Sequence, residues 1–230
     1  MALNRPSLTT MTPLELRLKI DFVSDVSCPW CAIGLAALEQ ALARVGPEIT
    51  ATLHFQPFEL NPQMSAEGQD ITEHLGQKYG IDAAQIAANS EAIRQRGAAL
   101  GFEFGIGKRS RIYNTFDAHR LLHWAGLQGA GPQRALKQAL LKAYFTEGRD
   151  PSDLGVLQAA AQSAGLDGQA ARAVLDSDQF SAEVREAEGF YQQHGIHAVP
   201  AVIVNDQHLI SGGQPVEVFE QALRQIAAAA

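Results

Sequence analysis

The chain has 230 residues, 46% hydrophobic and 19% charged, which predicts a packed core in one large domain or in a domain carrying an insertion. Its net charge is −7 and its basic residues do not gather in runs, which argues against a nucleic-acid partner, since a polyanion demands a basic footprint. The start, "MALNRPSLTTMTPLELRLKIDF", lacks a signal-peptide apolar core and no run of 18 apolar residues follows, so the expectation is a cytoplasmic protein with no membrane partner.

Leu16, Leu18, Ile20 and Phe22 alternate with Arg17, Lys19 and Asp21, a period of two that predicts a strand. The stretch "DVSCPWCAIG" comes next. Then Ile33, Ala37, Leu38, Ala41, Leu42 and Val45 trace one helix face, which Gly46-Pro47 stops. Ala51, Leu53 and Phe55 mark a second strand that ends at Pro57. A strand–helix–strand unit of this kind makes two parallel neighbours.

From Gln63 to Gln179 no convincing strand signal occurs and helix signals follow one another. Asp70 with Glu73 resembles a capping box closed by Gly80, and Asp82 caps an alanine-rich stretch that runs towards Gly97. Asn114 is placed to cap a helix through Trp124, closed by Gly126. Pro132 suits a first turn ahead of Leu136, Ala139, Leu140, Ala143 and Tyr144, and further helices begin near Asp153 and Asp167.

Strand signals return after "YQQHGIHAVP". Ala201 to Val204 is continuously apolar, "NDQ" turns, and His208 to Ile210 pairs back. A last helix carries Val218, Phe219, Leu223 and Ile226. Each sheet fragment is too small to stand alone. One α/β domain therefore folds from residues 1–62 and 181–230, with 63–180 as a helical insertion.

Cys28 and Cys31 are the chain's only cysteines. In a reducing compartment a close pair points to catalysis or redox sensing rather than to a scaffold. Cys28 follows a strand, and Pro29 suits the first turn of the next helix, so the Cys28 sulfur faces unpaired N–H groups and the positive end of the helix dipole. Both favour thiolate. Cys31, one turn on, is placed to attack a mixed disulfide on Cys28. The other readings are two structural cysteines or half of a zinc site. A zinc site needs two more ligands at the usual spacing, and none follows. His119 and His123 lie four apart on a predicted helix without a third ligand, and read as core or surface histidines. No metal and no tightly bound cofactor are expected.

Val199-Pro200 directly precedes the buried strand. Beside a strand–helix unit bearing Cys-Pro-Trp-Cys, this suggests a tight, cis turn lying against Cys28 and offering backbone groups to an extended substrate.

"SDVSCPWCAIG", "FELNP", "NTFDAHRLLHWA", "AYFTEGRD", "VPAVIVND" and "ISGGQP" together resemble the DsbA-like thioredoxin-fold oxidoreductases, nearest to the cytoplasmic FrnE-like branch. The likeness runs from about Leu16 to the last helix. It implies a thioredoxin fold with a large helical insertion, Cys28 as nucleophile, Cys31 as its partner and Pro200 as the cis-proline. It implies thiol–disulfide exchange on proteins or small thiols, with Pro29, Trp30 and Val199 at the substrate. Asn114 is either a residue of the active-site groove or a helix cap. His197 is either a thiolate-stabilising neighbour of the sulfurs or an exposed loop residue. Asp25 is either a proton relay for Cys31 or a turn former. DsbA has a histidine where Trp30 stands, and tryptophan brings no positive charge, so a less depressed Cys28 pKa and a weaker oxidant are expected. Related kappa-type glutathione transferases and 2-hydroxychromene-2-carboxylate isomerases generally place a serine where Cys28 stands. They supply the alternative of a glutathione-dependent isomerase or transferase acting on a small hydrophobic molecule. Glutathione, as a co-substrate, would set its γ-glutamyl carboxylate near Gly213 and Gln214. A third alternative is a non-catalytic, peptide-holding chaperone.

Overall fold

In the computed structural model, which describes residues 16–229, strand β1 (Leu16–Ser24) is central and pairs on both sides. Its parallel neighbour is β2 (Ile49–Pro57), reached through helix α1 (Pro29–Val45), with Phe22 opposite Phe55. Residues 1–15 and Ala230, which the sequence reading gave to the ends of the two thioredoxin halves, lie outside the described residues.

Because β1 is central, both of its faces are covered. Leu18, Ile20 and Phe22 are buried on one side, and so are Asp21 and Val23 on the other. Asp21 accepts from Gln56 Nε2 at 2.6 Å and faces Lys19 Nζ at 3.0 Å, as a buried carboxylate must be partnered. Helix α1 ends at Gly46, whose φ of 67° lies in the left-handed region.

Between the two halves stand helices α2 (Ile71–Tyr79), α3 (Ala83–Ala99), α4 (Phe116–Leu127), α5 (Ala130–Leu141), α6 (Leu154–Ser163) and α7 (Gly168–Leu175). Asp70, Asp82, Asp153 and Asp167 cap α2, α3, α6 and α7, each accepting first-turn backbone N–H bonds. A π-turn, Lys142–Thr146, prolongs α5 and buries Tyr144 and Phe145.

The segment is not wholly helical. Strand β3 (Gln69–Asp70) pairs antiparallel with β4 (Arg111–Ile112); two residues are too few for an alternation to register in sequence. The start of α4 also differs from expectation. Thr115 takes the N-cap, and Asn114 instead accepts from Phe116 N at 2.9 Å, one position earlier. Nor does Gly126 close α4, which continues to Leu127. A Cβ at Gly126 would meet Gln133 Nε2 at 2.8 Å, so this glycine serves close packing of α4 on α5.

After α8 (Ser181–Gln193), strand β5 (Ala201–Val204) runs antiparallel to β1, and β6 (His208–Ser211) forms the edge. Asn205 and Asp206 both have positive φ, and Gln207 N bonds Val204 O at 3.2 Å, a type I′ turn suited to a hairpin. The sheet order is β2-β1-β5-β6. Helix α9 (Val216–Ala229) buries Phe219, Leu223 and Ile226 against it, but Val218, expected on the same face, is exposed.

Candidate active site

Where β1 ends, the chain turns on Asp25: its carbonyl accepts from Cys28 N at 3.3 Å and its Oδ1 from Ser27 N at 3.0 Å. Cys28 then becomes the N-cap of α1 in extended geometry, with Pro29 behind it as the first helical residue. No side chain caps the helix start, which leaves first-turn N–H groups facing the sulfur. Cys28 is 4% exposed, Cys31 fully buried, and both thiols are free.

The two sulfurs are driven apart in acidity. The hydrogen bond from Cys31 does most to lower the Cys28 pKa; burial opposes it, and the N–H groups of Cys31 and Trp30 assist. Burial pushes the Cys31 thiol well up, and its bond to Cys28 and the Cys28 charge push it the same way. The first proton therefore leaves Cys28, the expected direction for a nucleophile beside a resolving thiol.

The Val199–Pro200 bond is cis. Cys28 Sγ lies 3.7 Å from the Val199 carbonyl, and Gly212 N donates to the Pro200 carbonyl at 2.8 Å. Helix α1 meets this loop at a glycine: a Cβ on Gly34 would fall 3.0 Å from Pro200 Cγ and 3.2 Å from Gly213 Cα. Proline, helix and Gly213 thus touch with no side chain between them.

Around the opening, Pro29 is partly exposed and Trp30 is 39% exposed. The Arg96 guanidinium lies 5.4 Å over the indole and its Nη2 donates to Gly213 O at 3.3 Å. Gln214 donates from Nε2 to Ser211 O at 2.7 Å. A cavity of about 210 Å³ flanks the proline loop, lined by His197, Val199, Pro200 and Leu209. His197 is exposed on that rim. Asn114 is placed at the start of α4, engaged with Phe116. Among the described residues no group of three or more His, Cys, Asp or Glu side chains is arranged to hold a metal.

Beneath the sulfurs lies a polar group that the sequence reading only partly reached. Asp25 is buried, and besides its turn bond to Ser27 its Oδ2 accepts from Leu60 N at 2.7 Å. His119 Nε2 stands 3.7 Å from its Oδ1. Burial alone would raise the Asp25 pKa, but His119 and the N–H groups of Leu60 and Ser27 together hold it below the ordinary range. Lys137 is fully buried with no hydrogen-bond partner on Nζ. Burial lowers its pKa, while the charges of Cys31, Asp25 and Cys28 pull the other way.

The frame that carries these groups matches a family model, described as a DSBA-like thioredoxin domain, over residues 19–224. The chain belongs to the DsbA-like thioredoxin family. It is 34% identical to the probable DsbA oxidoreductase SCO1869 of Streptomyces coelicolor, with a TM-score of 0.82, covering 92% of this chain and 90% of that one. It is 27% identical to the uncharacterized protein YwbO of Bacillus subtilis over 89% of this chain and 94% of that protein. At 16% identity it shares the fold of the cytosolic disulfide reductase DsbM from Pseudomonas aeruginosa, solved with GSH (TM-score 0.61, 91% of this chain, 99% of that one).

Within this DsbA-like frame the structure brings Cys28, Cys31, Val199 and Pro200 together, with Pro29 and Trp30 at the mouth. Asp25 both forms the turn and sits in the charged group below. Sequence reasoning missed Lys137, because a lysine on an amphipathic helix reads as solvated, and it read His119 as an ordinary core or surface histidine. One signal was available: Lys137 directly follows Leu136 and lies one turn before Leu140 and Leu141, within the predicted apolar stripe.

Proposed function

We propose that this protein catalyses thiol–disulfide exchange on protein or small-molecule disulfides in the cytoplasm, with Cys28 attacking and Cys31 resolving. The observation that carries this reading is the placement of the Cys28 sulfur, at an uncapped helix start and 3.7 Å from the carbonyl before cis-Pro200. In the reducing direction the Cys28 thiolate attacks one sulfur of the substrate disulfide. That bond breaks, a mixed disulfide forms on Cys28, and the first substrate thiolate leaves. Cys31 then loses its proton and attacks Cys28 Sγ, forming the Cys28–Cys31 disulfide and releasing the second substrate thiolate. Two enzyme thiols are oxidised, one substrate disulfide is reduced to two thiols, and the reverse sequence oxidises a dithiol. The segment before Pro200 gives an extended peptide backbone a strand to lie against, and residues 63–180 act as an inserted module over the thioredoxin core.

Glutathione is the co-substrate favoured by one observation. Arg96 sets an exposed cation at the rim, against Trp30 and Gly213, where a carboxylate of an anionic thiol finds a partner. The neighbour solved with GSH accords with this.

Cys31→Ser should trap a covalent mixed disulfide when its reduced form meets native, disulfide-bonded insulin or glutathione disulfide, seen as a mass increase on Cys28, while Cys28→Ser should trap none and lose disulfide reduction. Continued exchange in Cys28→Ser contradicts the proposal. Glutathione-dependent turnover of a small hydrophobic molecule in that variant supports the isomerase or transferase class instead. Suppressed aggregation with no turnover in the wild type supports a holding role.

A further inference from the structure

Residues 58–62, Phe-Glu-Leu-Asn-Pro, directly follow β2 and meet the active-site turn through a backbone group. Leu60 N donates to Asp25 Oδ2 at 2.7 Å. Oδ1 of the same carboxylate accepts from Ser27 N at 3.0 Å, and the Asp25 carbonyl accepts from Cys28 N at 3.3 Å. The buried Asp25 is therefore the joint between the turn that presents Cys28 and a segment 35 residues further on.

Leu60 is itself held from three sides. On its C-terminal side Lys78 Nζ, from the last turn of α2, donates to Leu60 O at 2.9 Å and to Asn61 Oδ1 at 2.7 Å. On its N-terminal side the Glu59 carboxylate is bonded by Arg185 Nη1 of α8. The same nitrogen donates to Glu188 Oε2 at 2.7 Å, and the guanidinium lies 3.8 Å over the Phe116 ring of α4. The Leu60 side chain packs against the cluster that contains Cys28 and Cys31 and against the one that contains Val23 and Phe58.

Stability does not explain this anchoring. Glu59 and Glu188 are buried with one guanidinium between them, and each leaves its Oε1 without a hydrogen-bond partner, so desolvation offsets the attraction of the charges. Lys78 is exposed, and water competes there for each of its bonds. What these bonds supply is direction. They fix the chain on both sides of Leu60, so that its N–H stays aimed at the carboxylate.

We propose that Leu60 is a positioning residue for the nucleophile: its amide, aimed by Lys78 and Arg185, holds the Asp25 carboxylate in the turn from which Cys28 is presented. The inference rests on the exchange reading and adds what fixes the attacking sulfur. The Cys31 hydrogen bond does most to lower the Cys28 pKa, and the Asp25 charge works against it. Each N–H bond to Asp25 draws that charge away from the sulfur. With the Leu60 bond loosened, the charge is less compensated, the turn is free to shift, and less Cys28 is thiolate. Lys78 thus reaches Cys28 from the surface of α2 through a carbonyl, an amide and a carboxylate, each link a hydrogen bond. Other titratable groups stand about this path. His119 of α4 lies 3.7 Å from Asp25 Oδ1, Lys137 of α5 is buried below, and His74 lies one turn before Lys78.

The test is the alkylation of Cys28 by iodoacetamide in the reduced protein, read by mass across pH, for the wild type, Lys78→Met and Lys78→Arg. Lys78→Met keeps the apolar stem and removes both donations. Its alkylation midpoint should move up, so that the rate below the midpoint falls roughly two- to fivefold while the plateau at high pH stays unchanged. The shift should persist in about 1 M salt, where the charge of an exposed lysine is screened beyond roughly 3 Å. Lys78→Arg, which keeps a donor within reach of Leu60 O, should return the midpoint towards that of the wild type. An unmoved midpoint in Lys78→Met overturns the proposal, even if stability falls. A shift that salt abolishes overturns it too, since the lysine would then act by charge at a distance. Alkylation needs no disulfide substrate, so this outcome is independent of the exchange reading, which loss of exchange in Cys28→Ser tests separately.

Discussion

The two parts of the helical segment differ in what they bury. Helices α4 and α5 bury His119, Leu121, Leu122, Leu136, Lys137, Leu140 and Leu141, and they form a wall against β2 that brings charge beneath Cys31. Helix α2 has no buried residue, and α3 buries only Ile86 and Gly97. That part lies on the rim, and its contribution to the opening is the exposed Arg96. One segment thus supplies two surroundings: the wall sets the buried Lys137 and His119 near the active-site turn, and the rim sets the exposed Arg96 against Trp30. Removing apolar contacts from the wall should therefore cost more stability than removing them from the rim, and replacing the rim's exposed cation should change chiefly what the opening binds.

The largest effect expected from that contrast is on stability. Leu140→Ala, fully buried in the wall, should cost about 2–5 kcal/mol in urea unfolding. Ile86→Ala in α3 should cost roughly 2 kcal/mol or less, because its largely exposed surroundings can close in. Equal losses would erase the distinction. Gly34→Ala comes next, at about 1–3 kcal/mol, since its Cβ meets Pro200 and Gly213. It should slow Cys28 alkylation as well, if the helix and the proline loop shift together.

Lys137→Met has a smaller effect of opposite sign. A buried amine without a partner destabilises the fold, so the variant should be as stable as the wild type or more so by on the order of 1 kcal/mol. The sign with pH follows from the lowered Lys137 pKa. Between the folded value and the unfolded value near 10.4, the unfolded chain binds more protons, so wild-type stability rises with pH across that window. Lys137→Met should show a flatter curve there in denaturant titrations at several pH values. The smallest change in stability is expected for Arg96→Ala, less than about 1 kcal/mol. Its KM for an anionic thiol should rise about two- to fivefold, with less salt dependence and no change for a neutral thiol.

Much of this organisation is legible in the sequence, for reasons that are local. Strand alternation around Leu18 to Phe22, the aspartate caps at 70, 82, 153 and 167, and the Cys28-Pro29 junction each depend on neighbouring residues only. The cis loop became readable only when Val199-Pro200 was set beside a distant cysteine pair. What stayed hidden depends on packing between remote elements. Gly126 resembles a helix stop until Gln133 is seen against it, and Asn114 sits one residue before the cap it was expected to make. The β3–β4 ladder is too short to leave a pattern. Lys137 and His119 acquire their meaning from Asp25, roughly a hundred residues away in the chain, and no periodicity can report that.

The central claim is that the environment separates the two thiols, lowering Cys28 and raising Cys31. Its most direct measurement is the ultraviolet thiolate titration of the reduced protein, repeated on Cys31→Ser so that the Cys28 signal can be assigned. The account predicts two well-separated transitions: Cys28 below the ordinary thiol value of about 8.5, and Cys31 well above that value. Both thiols titrating together near 8.5, or Cys31 ionising first, would contradict it.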